Sequence, residues 1–293
     1  MTPRPVLPGE RFEFDGISCY MQGSGAPLLL VHSVNAAGSA AEVRPLYEHY
    51  CARRTVFAID LPGFGHSLRS DRVYTPRLMT DALHALAAQV RQRCGAAPLD
   101  ALALSLSCEF LARAASEAPA HWGRLALVSP TGFNGRTDRR GAPGSTRAVP
   151  GLLRVLRQPL WEQALFNGLT RPGVVRYFLE RTWGSKAIDE PMCQAAVMSA
   201  RAPGARFAPL HFLSGGLFSA DIHDVYDAVR SPVWACHGVR GDFTDYRGMD
   251  MVPACAGWRR TVYQTGALPY FEVPEAFNAD FDGFLGAAGQ AVS

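Results

Sequence analysis

Ser105 is the residue with the clearest capacity for covalent chemistry. It lies between a short apolar run, residues 101–104, and a segment with apolar residues at helical spacing that continues to 115. Small residues stand two positions before and after it, Ala103 and Ser107, in the pattern A-x-S-x-S. A strand that turns sharply into a helix crowds these two positions and projects its central serine from the top of a sheet. The pattern predicts a nucleophile elbow at Ser105; an ordinary buried strand end is the alternative.

Strands and helices alternate on both sides of this serine. Continuous apolar runs predict strands buried on both faces, at 27–31, 55–59, 101–104 and 124–129. Helical segments at 40–50 and 76–93 separate them, and alternation around Gly16 predicts an N-terminal hairpin. The order predicts an α/β fold, a mostly parallel twisted sheet flanked by helices.

The character of the chain changes twice, which divides it into three segments. Residues 1–130 contain the first part of the α/β core. Residues 131–216 are rich in Gly, Pro and Arg and contain amphipathic pieces at 152–169, 174–183 and 193–201, which predicts a helical lid insertion, with a separate helical domain as the alternative. Residues 217–293 return to the core, with strand-like segments at 232–236 and 258–263 and a helix at 274–285.

Composition narrows the classes of function. Of the 293 residues, 48% are hydrophobic and 19% charged, as in a well-buried globular protein. The net charge of +3 is too small to indicate nucleic acid or an acidic membrane surface as a partner. No apolar segment approaches the length of a membrane span. We also find no His/Cys cluster with the spacing of metal ligands and no dinucleotide-binding loop. We therefore expect a small-molecule substrate, no nucleic acid, no membrane, no metal and no cofactor.

The cysteines and the N-terminus indicate in which cellular compartment the protein is expected. Seven dispersed cysteines without a C-x-x-C pair predict reduced thiols. The first nine residues lack the apolar stretch of a secretory signal. Both observations predict a cytoplasmic protein, and a homodimer is left open.

Four landmarks, in order, resemble the α/β-hydrolase fold superfamily over nearly the whole chain. They are a strand that ends at His32 and a small-residue loop, the sequence Asp60-Leu-Pro-Gly-Phe-Gly-His-Ser67, the elbow with its helix, and the sequence Gly266-Ala-Leu-Pro-Tyr-Phe-Glu-Val-Pro-Glu275. The second matches the superfamily pattern D-x-P-G-x-G-x-S and is the most specific. The fourth is similar to G-H-x-P-x-x-E-x-P-E.

The resemblance implies roles for individual residues. Ser105 takes the place of the nucleophile, and the backbone N–H groups of Leu106 and of Ser33 or Val34 take the place of the oxyanion hole. Asp242 is the first choice for the acid of the triad, and Asp245 the second. The position of the catalytic histidine is occupied by Ala267, which cannot accept a proton.

Three explanations of Ala267 remain open. The alanine is an engineered replacement that traps a complex, the chain belongs to a branch that has abandoned hydrolysis, or another histidine is the base. The candidates for such a base are His32, His66, His211, His223 and His237. Each of them also suits a packing or surface role.

The insertion is rich in aromatic residues, which predicts an apolar pocket for an acyl or aromatic group. We expect its lining to include His32, Asn35, His211 and Phe212. Cys108, at the start of the helix after Ser105, is interpreted as a packing residue.

The leading hypothesis is a serine hydrolase with an incomplete triad, acting on a small ester, thioester or C–C bond next to a carbonyl. A non-hydrolytic enzyme or a ligand-binding protein on the same scaffold is the alternative. No feature supports a structural or nucleic-acid-binding module.

Overall fold

A single eight-stranded sheet organises residues 6–286, which are the residues described by the computed structural model. The sheet order is β1-β2-β4-β3-β5-β6-β7-β8, and β1 and β2 are antiparallel to their neighbours while all other pairs are parallel. The mostly parallel sheet predicted from the sequence is confirmed. The strands are β1 (Glu10–Phe14), β2 (Ile17–Gln22), β3 (Pro27–Val31), β4 (Thr55–Asp60), β5 (Leu99–Leu104), β6 (Trp122–Val128), β7 (Val233–Gly238) and β8 (Arg259–Tyr263).

Helices connect the strands and cover both faces of the sheet. They are α1 (Arg44–Tyr50), α2 (Pro76–Cys94), α3 (Ser107–Glu117), α4 (Leu152–Leu156), α5 (Glu162–Leu169), α6 (Pro172–Trp183), α7 (Glu190–Ala200), α8 (Phe207–Leu213), α9 (Ile222–Ala228), α10 (Pro269–Glu272) and α11 (Pro274–Gly286). Short 3₁₀ helices lie at Ala40–Val43, Pro119–His121, Arg247–Met251 and Pro253–Gly257. None of the helices in the described part of the chain is long and apolar enough to cross a membrane.

The central strands are apolar throughout because each has a core on either side. In β3, Leu29 and Val31 pack with α2, α3 and α9, whereas Leu28 and Leu30 pack with α1 and α11. All four side chains are fully buried. Burial of each contributes about 1.5–3 kcal/mol relative to exposure. The continuous apolar run, rather than an alternating one, is the sequence signature of this arrangement.

Five helices, α4 to α8, occupy the segment 131–216. The predicted helical piece at 152–169 is divided into α4 and α5, because Pro159 has no N–H to donate and cannot continue a helix. Buried side chains of this segment form a core of their own with Ala37. The division into three segments stays a prediction, and the ends of the first and last segments, residues 1–5 and 287–293, lie outside the described residues. The first five belong to the N-terminal stretch interpreted as lacking a secretory signal.

The D-x-P-G-x-G-x-S loop after β4 is built around the buried carboxylate of Asp60. Its two oxygens accept the backbone N–H groups of Ala40 and His66, each at 2.8 Å. Gly65 lies in the left-handed region, with φ +51°, and a Cβ there would lie 1.9 Å from the Asp60 carboxyl group. Glycine is therefore required both for the backbone conformation and for space.

We expect Gly65→Ala to lower the free energy of unfolding by about 3–5 kcal/mol, because the methyl group must displace the buried Asp60 carboxylate. Gly151→Ala is the matched control: φ is +78° there, but a Cβ would have no atom within 4 Å, so only the backbone cost of about 1–2 kcal/mol applies. Urea unfolding of both variants measures the difference. Equal losses of stability would show that crowding at Asp60 does not matter.

Candidate active site

Ser105 lies on a sharp turn between β5 and α3. Its φ of +51° is in the left-handed region, where a residue with a side chain is strained. The Ser105 N–H donates to the Val128 carbonyl at 2.8 Å, and its carbonyl accepts the Cys108 N–H at 3.1 Å. Ala103 and Ser107 are fully buried on either side of the turn. Strain of this kind persists only where surrounding bonds determine the backbone.

Ser107 also connects this turn to the loop after β3, because its hydroxyl donates to the His32 carbonyl at 2.5 Å. His32 is fully buried; its Nδ1 donates to the Ser33 carbonyl at 2.6 Å and its Nε2 accepts the Leu61 N–H at 3.0 Å. Both ring nitrogens of His32 are thus occupied by backbone groups. The imidazole joins the ends of β3 and β4.

The loop after β3 folds around Glu42, a residue that the sequence analysis did not single out. The Ser33 N–H donates to Glu42 Oε2 at 2.8 Å, and Asn35 Nδ2 donates to Glu42 Oε1 at 2.7 Å. Burial raises the pKa of the Glu42 carboxyl above its ordinary value, against the influence of His32 and of these hydrogen bonds. The N–H groups of Val34 and Leu106 have no hydrogen-bond partner within residues 6–286.

A small cavity of about 150 Å³ joins these groups. Its lining is mainly apolar, and α6, α7 and α8 contribute part of it. The lining residues are Ser33, Val34, Asn35, Glu42, Ser105, Leu106, Ser129, Thr131, Leu179, Thr182, Met192, Phe212, Phe218, Phe243, Ala267 and Leu268. The structure thus brings together seven of the predicted site residues: Ser33, Val34, Asn35, Ser105, Leu106, Phe212 and Ala267.

Ala267 lies at the cavity, in a segment held tightly on both sides. Its N–H donates to the Thr182 carbonyl at 2.9 Å, and its carbonyl accepts the Ser129 hydroxyl at 2.7 Å. A Cβ on the preceding Gly266 would lie 2.4 Å from the Trp183 carbonyl oxygen. The end of α6 is therefore packed directly against the segment where the resemblance places a histidine.

Asp242 is not among the residues that line the cavity. Its carboxylate forms a bidentate ion pair with Arg181, at 2.5 and 2.6 Å, and its side chain is 39% exposed. Asp245 is bound to Arg247 and to the Gly135 N–H. Each carboxylate has an arginine partner, and neither residue lines the cavity that contains Ser105.

The histidines considered as bases also lie outside the cavity lining. His211, expected in the pocket, is buried in α8, donates from Nδ1 to the Phe207 carbonyl and packs against Tyr74. His237 stacks on Tyr246 with ring centroids 3.7 Å apart, and burial lowers its pKa. His66 is bound to a tyrosine hydroxyl, and His223 is bound to Asp138 and the Gly132 carbonyl.

Glu109 is a second buried carboxyl beside the cavity, also absent from the sequence-based site. Thr131, a lining residue, donates its hydroxyl to Glu109 Oε1 at 2.6 Å, and the Ser219 N–H donates to Oε2 at 2.8 Å. Burial raises the pKa of Glu109 to about 7. The available signal was an acidic residue on the otherwise small and apolar face that begins α3, four positions after Ser105.

The surroundings of Cys108 agree with a packing role rather than a catalytic one. It is fully buried, its thiol donates to the Ala103 carbonyl at 3.2 Å, and burial raises its pKa well above the ordinary value. No group of three or more His, Cys, Asp or Glu side chains in the described chain is arranged to hold a metal ion.

The raised pKa of Glu109 predicts a pH-dependent stability. Because the folded chain holds this proton more tightly than the unfolded chain, the free energy of unfolding falls as pH rises from the ordinary value of 4.5 to about 7. Glu109→Gln removes this pH dependence. Between about pH 5 and about pH 8, the free energy of unfolding of the variant should therefore rise by roughly 3 kcal/mol relative to that of the unsubstituted protein.

The control for this prediction is Glu117→Gln at the other end of α3. Hydrogen bonds from Arg77 and His84 overcome a partial burial and lower the pKa of Glu117, so any change there has the opposite sign. Chemical unfolding across the pH range measures all three proteins. Parallel stability curves for Glu109→Gln and the unsubstituted protein would contradict the raised pKa.

Comparison with known proteins bears on the fold. No protein-family model matches the sequence, and the search of curated proteins finds no relative of significant similarity. Many solved structures are similar, among them three hydrolases. The serine hydrolase of carbazole degradation shows 16% identity over 95% of this chain and 98% of that chain, with a TM-score of 0.70.

The enol-lactonase from Burkholderia xenovorans shows 17% identity over 94% of this chain and all of that chain, with a TM-score of 0.67. The carboxylesterase CesB from Bacillus subtilis shows 16% identity over 95% of this chain and 92% of that chain, with a TM-score of 0.67. The strand order, the turn at Ser105 and these similarities together show that the chain has the α/β-hydrolase fold.

Proposed function

We propose that this protein is a serine hydrolase that acts on a small ester, thioester or C–C bond next to a carbonyl, with a triad that is incomplete at position 267. The observation that carries the proposal is the strained Ser105, at φ +51°, on the wall of a small, mainly apolar cavity. Strained residues of this kind cluster at active sites, where the strain holds the reacting group in place. The known structures of the same fold, including a lactonase and a carboxylesterase, agree with this chemistry.

In the proposed reaction, Ser105 Oγ forms a bond to the carbonyl carbon of the substrate. The carbonyl oxygen becomes an oxyanion, which the unpartnered N–H groups of Val34 and Leu106 stabilise. The leaving group departs with the electron pair of the broken bond and takes up a proton, and the Ser105 proton passes to water. A water molecule then attacks the acyl-serine, the bond between the acyl carbon and Oγ breaks, the acyl group leaves as a carboxylic acid, and Ser105 Oγ regains a proton.

The rate of this reaction is limited by the absence of an imidazole from the cavity lining. Among the sixteen lining residues none is a histidine, and Ala267 cannot take a proton from Ser105. In serine hydrolases without a working triad, the oxyanion hole and substrate binding leave roughly 10³–10⁴-fold acceleration over water. We propose acceleration of this order for the present chain.

The size and lining of the cavity define the class of substrate. About 150 Å³ lies below the usual range of roughly 300–1,000 Å³ for ligand pockets. Leu179, Met192, Phe212 and Phe218 supply apolar surface, which suits a short acyl chain or a single aromatic ring. The cytoplasmic location and the homodimer stay predictions.

A ligand-binding protein without hydrolysis is the second candidate, and the loop at Ala267 favours it. The Ala267 side chain carries no base, and the Asp242 carboxylate is paired with Arg181, so Ser105 has no base at position 267 and the candidate acid already has a partner. Such a protein retains the cavity but not the reaction.

Short p-nitrophenyl esters distinguish these candidates. We expect Ala267→His to raise the hydrolysis rate by about 10²-fold, because its imidazole would enter the cavity beside Ser105. A further increase is expected when Arg181→Gln releases Asp242 in the same chain. Ser105→Ala, alone and combined with Ala267→His, is the blank.

The outcomes separate the two candidates. Activity of the unsubstituted protein above the Ser105→Ala blank supports the hydrolase, and a large gain for Ala267→His supports the assignment of position 267. If none of the proteins exceeds the blank, the ligand-binding candidate takes the place of the hydrolase.

A further inference from the structure

Glu42 is the one acidic or basic side chain among the sixteen residues that line the cavity. The residue is only 4% exposed. Both of its carboxyl oxygens accept hydrogen bonds, from the Ser33 N–H and from Asn35 Nδ2, and none of the ion pairs within residues 6–286 includes it. A carboxylate in such a place is costly, since it is removed from water without a compensating cation.

Glu42 matters because its carboxyl group accepts the hydrogen bond of the Ser33 N–H. The sequence predicted that the oxyanion hole uses the N–H of Ser33 or of Val34. The Ser33 N–H is already donated to Glu42 at 2.8 Å, whereas the adjacent Val34 N–H has no partner in the described chain. An ionised Glu42 therefore places a negative charge against the Ser33 N–H, one residue before the Val34 N–H that is proposed to stabilise an anionic oxygen.

Other titratable groups near Glu42 do not cancel this charge. His32, whose ring nitrogens are bonded to the Ser33 carbonyl and the Leu61 N–H, opposes the effect of burial on the pKa of Glu42 but does not outweigh it. Tyr270 donates its hydroxyl to the Glu42 backbone carbonyl, and burial raises the pKa of Tyr270 well above the ordinary value. Asp60, bound to Ala40 in the same loop, adds a negative charge, and Glu109 lies behind Thr131 elsewhere on the cavity wall.

We propose that Glu42 sets the charge preference of this site: the cavity accepts an anionic oxygen at Ser105 only when the Glu42 carboxyl is protonated, and favours neutral ligands when it is ionised. The inference rests on the proposed role of Ser105 and names its substrate class, uncharged acyl compounds rather than carboxylates. Glu42 acts here as a specificity-determining residue. Like charges in a poorly solvated site repel far more strongly than in water, which is the physical basis of the preference.

The pH dependence that follows is opposite to that of a site with a histidine base. Burial raises the pKa of Glu42, so the carboxyl loses its proton above its ordinary range. Stabilisation of an oxyanion then weakens as pH rises. Glu42→Gln keeps the size of the side chain and an oxygen to accept the Ser33 N–H, but cannot ionise.

The test is the rate at which a short alkyl fluorophosphonate labels Ser105. In this reaction an Oγ–P bond forms, the P–F bond breaks, fluoride leaves and the Ser105 proton passes to water, while negative charge builds on the phosphoryl oxygen. The quantity of interest is the rate for Glu42→Gln divided by the rate for the unsubstituted protein. This ratio cancels the pH dependence of the serine and of the reagent.

We expect the ratio to be lowest at the acidic end of the pH range in which the protein stays folded, and to rise by about tenfold or more as pH increases and Glu42 ionises. Asp100→Asn is the matched control, because Asp100 is also buried but lies at the opposite end of β5, bound to Arg54 and the Arg124 N–H. Its ratio should stay near one throughout. A flat ratio for Glu42→Gln, or slower labelling of that variant at every pH, would overturn the inference.

A second measurement uses the unsubstituted protein alone and remains valid if Glu42→Gln does not fold. Benzamide and benzoate have nearly the same shape and differ in charge. We expect the affinity for benzoate relative to benzamide to fall by about tenfold as pH rises through the range in which benzoate itself stays ionised and Glu42 loses its proton. A constant relative affinity would overturn the inference.

Failure of the proposed function has a different signature. If Ser105 is not labelled in any protein but the relative affinity for benzoate still falls with pH, the serine is not a nucleophile and the charge preference of Glu42 stands. If Ser105 is labelled and the ratio is flat, the proposed function stands and the role of Glu42 does not.

Discussion

The buried Asp60 carboxylate is the interaction on which the geometry of the site depends. Burial opposes its ionisation, but hydrogen bonds from His66 and from the Ala40 N–H, together with the influence of His32, hold its pKa below the ordinary value. By binding Ala40 and His66 at once, Asp60 joins the loop after β3 to the loop after β4. Loss of this anchor would leave the N–H groups of Ala40 and His66 without partners, and an unpaired buried donor costs about 1–3 kcal/mol. The remainder of the site is built outward from it, through His32 to the elbow at Ser107.

The cavity that results has an unusual electrostatic character for a site with a strained serine. Ala267, which lines the cavity, cannot take a proton, and Asp242 is paired with Arg181. The buried carboxyls beside the cavity are Glu42, bonded to the Ser33 N–H, and Glu109, bonded to the Thr131 hydroxyl. Burial raises the pKa of both. The protonation states of these two glutamates therefore set the charge beside the cavity. The proposed slow hydrolysis depends on that charge.

The predictions from sequence succeeded where short-range patterns carry the information. Continuous apolar runs correctly located β3 to β6, and the alternation of strands and helices correctly indicated a mostly parallel sheet. Pro159 was visible in the sequence, yet the piece at 152–169 was treated as one helix although the chain divides there into α4 and α5. Helix α9 was not predicted. Glu42 and Glu109 were missed because a glutamate in a helical segment ordinarily lies on the exposed face, and only packing against other elements buries these two.

The sequence by itself determined the fold class, the small residues around Ser105, the glycines that surround Asp60 and the alanine at position 267, because each depends on local sterics or on residue identity. Tertiary structure alone decided which side chains meet at the cavity. His32 and Asp242, both expected at the site, do not line the cavity: His32 bonds to backbone groups at both ring nitrogens, Asp242 pairs with Arg181, and their roles stay predictions. Each buried polar group has several potential hydrogen-bond partners that lie tens of residues away in the sequence. Which of them it bonds to depends on distances that exist only in the folded chain.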